Sequence, residues 1–145
     1  MTSIEIIDGS WKAMQARAMP IRMQVFVREQ QVPIDLEQDD QDATAHHWVA
    51  QVGAECVGTV RLTMDGHLGR LAVLAQWRRQ GIGAQLTECV VRHALAHGQH
   101  DLDLNAQTHA IPFYEALGFV VDGPEFMEAG MPHRHMRLQR ASDVG

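Results

Sequence analysis

The stretch that most constrains this chain runs from residue 68 to residue 97. Residues 68–74 are almost continuously apolar, which predicts a strand buried on both faces. Residues 81–97 form the clearest helix. At about 100° per residue, Ile82, Leu86, Cys89 and Val90 make one apolar stripe, and Ala84, Val91 and Leu95 make a second on nearly the opposite side. Only Gln85, Glu88 and Arg92 leave a narrow polar strip. Such a helix packs between a sheet and something else, and the second stripe allows a homodimer. Gly98 ends it.

The strand and the helix are joined through Arg78-Arg79-Gln80-Gly81-Ile82-Gly83. Gly81 and Gly83 have no Cβ, so the backbone can turn sharply and a ligand can come close. The first N–H groups of a helix have no partner inside it, and with the positive dipole end they attract an anion. Arg78 and Arg79 add charge beside it. The arrangement suits a pyrophosphate, although Gly-x-Gly alone also fits an ordinary tight turn. No Gly-Lys-Ser/Thr follows, which excludes a P-loop. The third glycine and the acidic residue about 20 positions on that mark a dinucleotide site are missing as well.

The rest of the chain supplies further short elements. Residues 2–7 read as a strand, and Ser10 can cap a helix that starts at Trp11 and runs to residue 30, with a break or kink at Pro20. Residues 31–45 carry Asp35, Glu37, Asp39, Asp40 and Asp42 without apolar periodicity and read as an exposed acidic loop. Strands are predicted over 47–51 and 56–62 around a turn at Gly53, with a hairpin turn at Asp65-Gly66. Residues 101–106 form a strand, 112–117 a helix opened by Pro112 and stopped by Gly118, and 119–122 and 135–138 the last strands. The order β-α-β-β-β-α-β-α-β-β describes an α/β fold, a mixed sheet flanked by helices. A chain of 145 residues fits a single domain spanning 1–145, with a frayed tail after about residue 140.

Composition excludes several functions. The chain is 46% hydrophobic and 21% charged, as soluble globular proteins are. No apolar run approaches the ~20 residues that span a bilayer, so no membrane partner is expected. Net charge is -6, which disfavours nucleic-acid binding through phosphate neutralisation. Cys56 and Cys89 sit in apolar segments and read as reduced core residues, so a cytoplasmic location is expected.

A resemblance rests on two segments. Leu71-Ala72-Val73, followed after four residues by Arg78-Arg79-Gln80-Gly81-Ile82-Gly83-Ala84, resembles the coenzyme A signature of the GCN5-related N-acetyltransferases (GNAT). Ala110-Ile111-Pro112-Phe113-Tyr114-Glu115-Ala116-Leu117-Gly118-Phe119 resembles the second signature of that family. Val25-Phe26-Val27-Arg28-Glu29-Gln30-Gln31-Val32-Pro33, Asp42-Ala43-Thr44-Ala45-His46 and the stretch from Glu125 to His133 are similar to its ElaA-like branch. The resemblance implies the GNAT acyl-CoA N-acyltransferase fold, with acetyl-coenzyme A as co-substrate and no metal. It implies that the backbone of Leu71, Ala72 and Val73 pairs with the pantetheine arm. The loop Arg78, Arg79, Gln80, Gly81, Ile82, Gly83 and Ala84 would hold the pyrophosphate. Gln107, standing where the family often has Asn, and Phe113 would also touch the cofactor. Tyr114, the only tyrosine, either protonates the departing thiolate or simply packs beside Phe113.

The acceptor is expected to be a primary amine of a small molecule or peptide. Its proton goes to Glu29 or another side chain, with Glu37 and His46 as candidates, or to a water relay. Glu29 and the acidic loop also fit plain surface solvation. His133 is expected to line the acceptor pocket. Nine histidines include His93 and His97 at i, i+4, but without the Glu of a zincin motif they read as core or edge residues. The same fold would also serve as a non-catalytic coenzyme A sensor or interaction module.

Overall fold

Ser10 ends the first strand and starts the first helix, as its position predicts: its hydroxyl accepts from the Ala13 N–H at 3.3 Å. The computed structural model describes residues 3–139. The frayed tail expected after residue 140 lies outside them. Strand β1 (Ile4–Ser10) leads into α1 (Trp11–Arg22). Pro20 lies inside α1 without ending it. The helix instead widens into a π-helical segment, Met23–Glu29, with a bond from the Gln30 N–H to the Val25 carbonyl at 3.1 Å. A proline that removes one ladder donor makes such a change of winding understandable.

A short helix α2 (Ile34–Glu37) follows, then β2 (His46–Val52), β3 (Glu55–Leu62) and β4 (Leu68–Val73). The long helix is α3 (Ile82–Ala96), followed by β5 (Asp101–Gln107), α4 (Ile111–Ala116), β6 (Val120–Glu128) and β7 (Met131–Gln139). Both last strands are longer than the sequence pattern suggests. They form a hairpin that protrudes past the apolar residues which mark a strand.

The expected mixed sheet is split. Strands β1-β2-β3-β4 form one antiparallel sheet and β5-β7-β6 a second. Between β4 and β5 only a parallel bridge at His67 and Asp103 joins the halves, with the Asp103 N–H bonded to the Gly66 carbonyl at 3.0 Å. Beyond that point the two strands have no ladder. This corrects the reading of β4 as a central strand buried on both faces. Leu68 and Ala72 are buried, but Gly69, Arg70, Leu71 and Val73 are half-buried, because one edge of β4 opens on a cleft.

Helices cover both faces of the first sheet. Alternation along β2 sends Val49 to one side, where it packs with Met14, Ala18, Ile21 and Val25 of α1 and its continuation. Trp48 and Ala50 go to the other side, with Ile82, Leu86 and Val90 of α3. Helix α3 lies very close to β3: a Cβ on Gly58 would meet Leu86 Cδ1 at 3.1 Å and Ile82 Cγ2 at 3.2 Å. The second stripe of α3 is covered by the chain itself. Val91 is buried, and Leu95 packs against the core that contains Phe119 and Leu138. That stripe therefore gives no reason to expect a partner subunit. Cys56 and Cys89 are free, half-buried thiols.

The acidic loop is the largest departure from expectation. Glu37, Asp39 and Asp42 are turned onto arginines, while Asp35 and Asp40 stay exposed. Arg22 and Glu37 are each only 1% exposed. Arg22 Nε donates to the Glu37 carboxylate, and its Nη1 and Nη2 donate to the two oxygens of Asp42 at 2.8 and 3.0 Å. Arg61 grips Asp39 with two bonds at 2.7 and 2.8 Å and reaches Asp42 at 2.9 Å. Arg70 donates to the carbonyls of Leu36 and Glu37 and to Asp39 at 3.2 Å. Buried charges persist only when paired and hydrogen-bonded, and these arginines lie far from the acids in sequence.

The pairing makes the fold acid-sensitive. Hydrogen bonds from Arg61 hold the Asp39 carboxyl down at about 2, against the opposing effect of burial. Burial works to raise Asp42, but Arg22 and Arg61 outweigh it and lower its pKa. A carboxylate whose folded pKa is depressed stabilises the fold above its unfolded value and loses that stabilisation as pH falls through the folded value. Urea midpoints should therefore stay level near neutrality and drop from about pH 4 towards pH 2. Asp42→Ala, which takes from Arg22 and Arg61 one of the two carboxylates that each holds, should destabilise by about 2–3 kcal/mol in urea titrations at pH 7. A midpoint equal to that of the parent chain would refute this account of the loop.

Candidate active site

Where β4 and β5 part, a cleft of about 550 Å³ opens. Leu68, Gly69, Arg70 and Leu71 form one wall, and Leu104, Asn105, Ala106 and Gln107 the other. Phe113 and Tyr114 of α4 line it, Phe26, Gln30, Leu36 and Glu37 cover it, and Met131 and His133 enter from the β6–β7 hairpin. The Gln107 side chain donates to Gln30 at 3.0 Å, tying β5 to the end of the π-helical segment.

The β4 wall carries a bulge. Thr59 opposes Ala72 and Arg61 opposes Gly69, so two residues of β4, Arg70 and Leu71, face a single residue of β3. Arg70 sits at φ +55, which is unfavourable for a side chain with a Cβ. Its guanidinium is anchored on the Leu36 and Glu37 carbonyls, so the surrounding structure supports the strained backbone. The bulge takes Leu71 out of register with β3 and leaves its backbone at the cleft.

At the C-terminal end of β4, the loop before α3 has the expected form. Arg79 lies at φ +64 and Gly81 at φ +81, and no side chain caps the start of α3. The exposed first N–H groups of a fifteen-residue helix thus face outward as an anion cradle. Arg78 has a different role from the one expected. Its guanidinium forms two bonds of 2.8 Å to Glu29 and one of 2.9 Å to the Val73 carbonyl, pinning the loop to the end of the π-helical segment. Gly83 faces Phe113: a Cβ there would lie 3.4 Å from the ring.

The structure brings some of the expected residues together and leaves others out. Tyr114, Gln107, Phe113, Leu71, Glu37 and His133 line the cleft. Tyr114 is 9% exposed, and burial pushes its phenol well above the ordinary range, so it stays protonated. Its ring stands edge-on to Phe113 and Phe119. The His133 Nδ1–H donates to the Met131 carbonyl at 2.8 Å. Glu37 reaches the cleft wall, but its carboxylate is the partner of Arg22. Glu29 is held by Arg78, and His46 pairs with Asp8 at 2.6 Å; neither lines the cleft.

One group was missed by sequence reasoning. His67, in the segment read as a turn, lies at the closed end of the cleft. Its Nδ1 is 2.9 Å from Asp103, whose other oxygen is 2.9 Å from His135 Nε2. His135 Nδ1 in turn meets Asp122. Lying between two carboxylates, His135 has its pKa raised, first by Asp103. Burial works to raise Asp103, but bonds to His135 and His67 lower it. With His67 and Asp103 36 residues apart, only the β4–β5 bridge joins them, and no local sequence signal could show it.

A split sheet with a bulged edge strand and an uncapped helix at the mouth of the split defines an acyl-CoA N-acyltransferase fold. The crystal structure of an acyl-CoA N-acyltransferase from Pseudomonas aeruginosa matches with a TM-score of 0.81 at 27% identity, covering 94% of this chain and 99% of that one. Escherichia coli ElaA matches with a TM-score of 0.85 at 26% identity, covering 94% of this chain and all of its own, which supports the ElaA-like branch. YjcF of Bacillus subtilis, an uncharacterized N-acetyltransferase, is 37% identical over 123 residues, 82% of this chain and 88% of its own length. The sequence profile of the acetyltransferase (GNAT) domain matches residues 12–140, and the chain belongs to that family.

The two loop glycines should respond differently to substitution. Gly81→Val forces a β-branched residue to φ +81 and should destabilise the fold by about 1–2 kcal/mol. Gly83→Ala has no such backbone demand and should leave thermal unfolding nearly unchanged. Equal losses at both positions would mean that the helix start is not held in this conformation.

Proposed function

We propose that this chain transfers an acetyl group from acetyl-coenzyme A directly to a primary amine of a small molecule or peptide. The observation that carries the proposal is the cleft itself, a bulged strand edge on one side and a buried protonated phenol on the other, with an uncapped helix start following the same strand. The chemistry of these groups fits the co-substrate. The outer edge of β4 offers Leu71, Ala72 and Val73 as a pairing edge for an amide-bearing pantetheine arm. The N–H groups of residues 79–84 suit a pyrophosphate. Arg79 can add charge there, while Arg78 acts by holding the loop.

Each reacting proton has a residue to carry it. The Leu71 N–H polarises the thioester carbonyl, the kind of electrostatic help that often dominates acyl transfer. The amine attacks, the C–N bond forms and the C–S bond breaks. Tyr114 gives its proton to the departing sulfur. His67 takes the proton released by the amine, directly or through one water, while Asp103 holds the opposite ring nitrogen. This assignment replaces Glu29, Glu37 and His46, whose side chains are bound elsewhere. Pairing of Glu37, Asp39 and Asp42 with arginines leaves only Asp35 and Asp40 of the loop's acids both exposed and without an arginine among the described residues, which weakens the charge argument for a cationic acceptor. Cys56 and Cys89 do not line the cleft, in keeping with direct transfer rather than a covalent enzyme intermediate. Among the described residues no helix is long and apolar enough to cross a membrane. Two free thiols suit action in a reducing cytoplasm.

The test combines calorimetry with acetyl-coenzyme A and thiol release over a panel of amines. Gly83→Leu should abolish binding while the unfolding temperature is retained, because the added side chain fills space beside Phe113. Tyr114→Phe should lower kcat on the order of a hundredfold. His67→Gln should lower kcat/KM at least about tenfold with acetyl-coenzyme A affinity unchanged. Tight coenzyme A binding with no turnover on any amine would instead make the chain a sensor or interaction module. Unchanged affinity in Gly83→Leu would refute the site.

A further inference from the structure

Outside the cleft, three elements converge on a cluster of imidazoles. Asp8 of β1 stands opposite Trp48 of β2, so His46, two residues before Trp48, is its diagonal neighbour on the same face of the sheet. Trp48 belongs to the core under α3, which places that face towards the helix. His46 Nε2 approaches Asp8 Oδ2 at 2.6 Å. The ring of His93, on α3, stacks on His46 at 4.5 Å, and His97 stacks on His93 at 4.2 Å. Trp48 meets both His46 and His93 edge-on and limits how the two rings can turn.

We propose that Asp8, His46 and His93 form a binding site for a divalent transition-metal ion of the zinc type. One ligand atom from each residue lies within 4.8 Å of the other two. Around a tetrahedral ion with bonds of about 2.0–2.2 Å, ligand atoms are about 3.3–3.5 Å apart. Binding must also turn the His93 ring out of its stack on His46, where the two planes lie at 21°, so that an in-plane lone pair of each imidazole points at the ion. The side chains of Asp8 and His46 are 48% and 33% exposed, so they can rotate and an ion can reach them. Imidazole and carboxylate ligate only in their deprotonated forms, so binding weakens in acid. Two imidazoles and one carboxylate select zinc, cobalt, nickel or copper over magnesium or calcium, which prefer oxygen ligands. Water completes the coordination. His97 is a positioning residue: its Nδ1–H donates to the His93 carbonyl at 2.8 Å, and its ring supports that of His93.

The ion would clamp α3 to the β1–β2 edge, and because it binds the folded chain it should raise the unfolding temperature, the more so the further its concentration exceeds Kd. The test uses the full, tag-free chain titrated with zinc chloride by calorimetry at pH 7.5, with thermal unfolding in parallel. The expected result is one ion per chain, a higher unfolding temperature in zinc and none in magnesium or calcium. Cobalt should give the visible absorption of a low-coordinate nitrogen–oxygen site. His93→Gln and Asp8→Asn should each weaken zinc binding at least about tenfold and remove the thermal shift. Asp8→Asn changes an exposed side chain, so it still reports if His93→Gln fails to fold. His109→Gln, a change away from the cluster, should bind as the parent chain does. No zinc binding, or binding unchanged in Asp8→Asn, overturns the proposal.

Discussion

Arg22, Arg61 and Arg70 hold the acidic segment after the first helix, and the shape of the cleft depends on that hold. Arg22 alone joins α1 to Glu37 and Asp42. Without such partners, Glu37 and Asp42 could not remain buried, because an unpaired buried carboxylate carries a large desolvation penalty. The network thus fixes α2 as the cover of the cleft. Through Arg70 it also reaches the bulge, since the residue with the strained backbone donates to the carbonyls of α2. The strain that re-aims Leu71 is sustained by charge pairing in the segment that covers the cleft.

The second constraint is the failure of β4 and β5 to pair beyond His67 and Asp103. A continuous sheet would have satisfied both edges and left no site. Instead the two edges diverge, and the opening is lined partly by backbone that a ligand can complete. The bridge that closes this opening also brings His67 to Asp103, so the point that joins the two sheets also sets an imidazole against a carboxylate.

Much of this was legible in the chain. The loop from Arg78 to Gly83 and the helix with Phe113 and Tyr114 are local patterns. Their chemistry comes from backbone freedom, helix ends and residue spacing, which need no distant contact. The Ser10 cap, the Gly53 turn and most strand positions were local in the same way. What could not be read were partnerships across the sequence. The segment 31–45 looks solvated because its acids are dense, and nothing nearby shows that Arg22, Arg61 and Arg70 pair with Glu37, Asp39 and Asp42. Glu29 looks like a free base until Arg78, 49 residues away, is placed against it. The β6–β7 strands were underestimated because their exposed residues carry no apolar alternation.

Sequence alone therefore determined the class of fold and the position of the glycine turn before α3, because both follow from short-range periodicity and from glycines that permit particular backbone turns. Tertiary structure alone decided which charges are free. A carboxylate or imidazole has the same chemistry anywhere in a chain, but its use depends on what is packed beside it. That is why Glu29, Glu37 and His46 are found bound to Arg78, Arg22 and Asp8 while His67 stands in the cleft against Asp103, and why part of an acidic stretch is paired with arginines beside it.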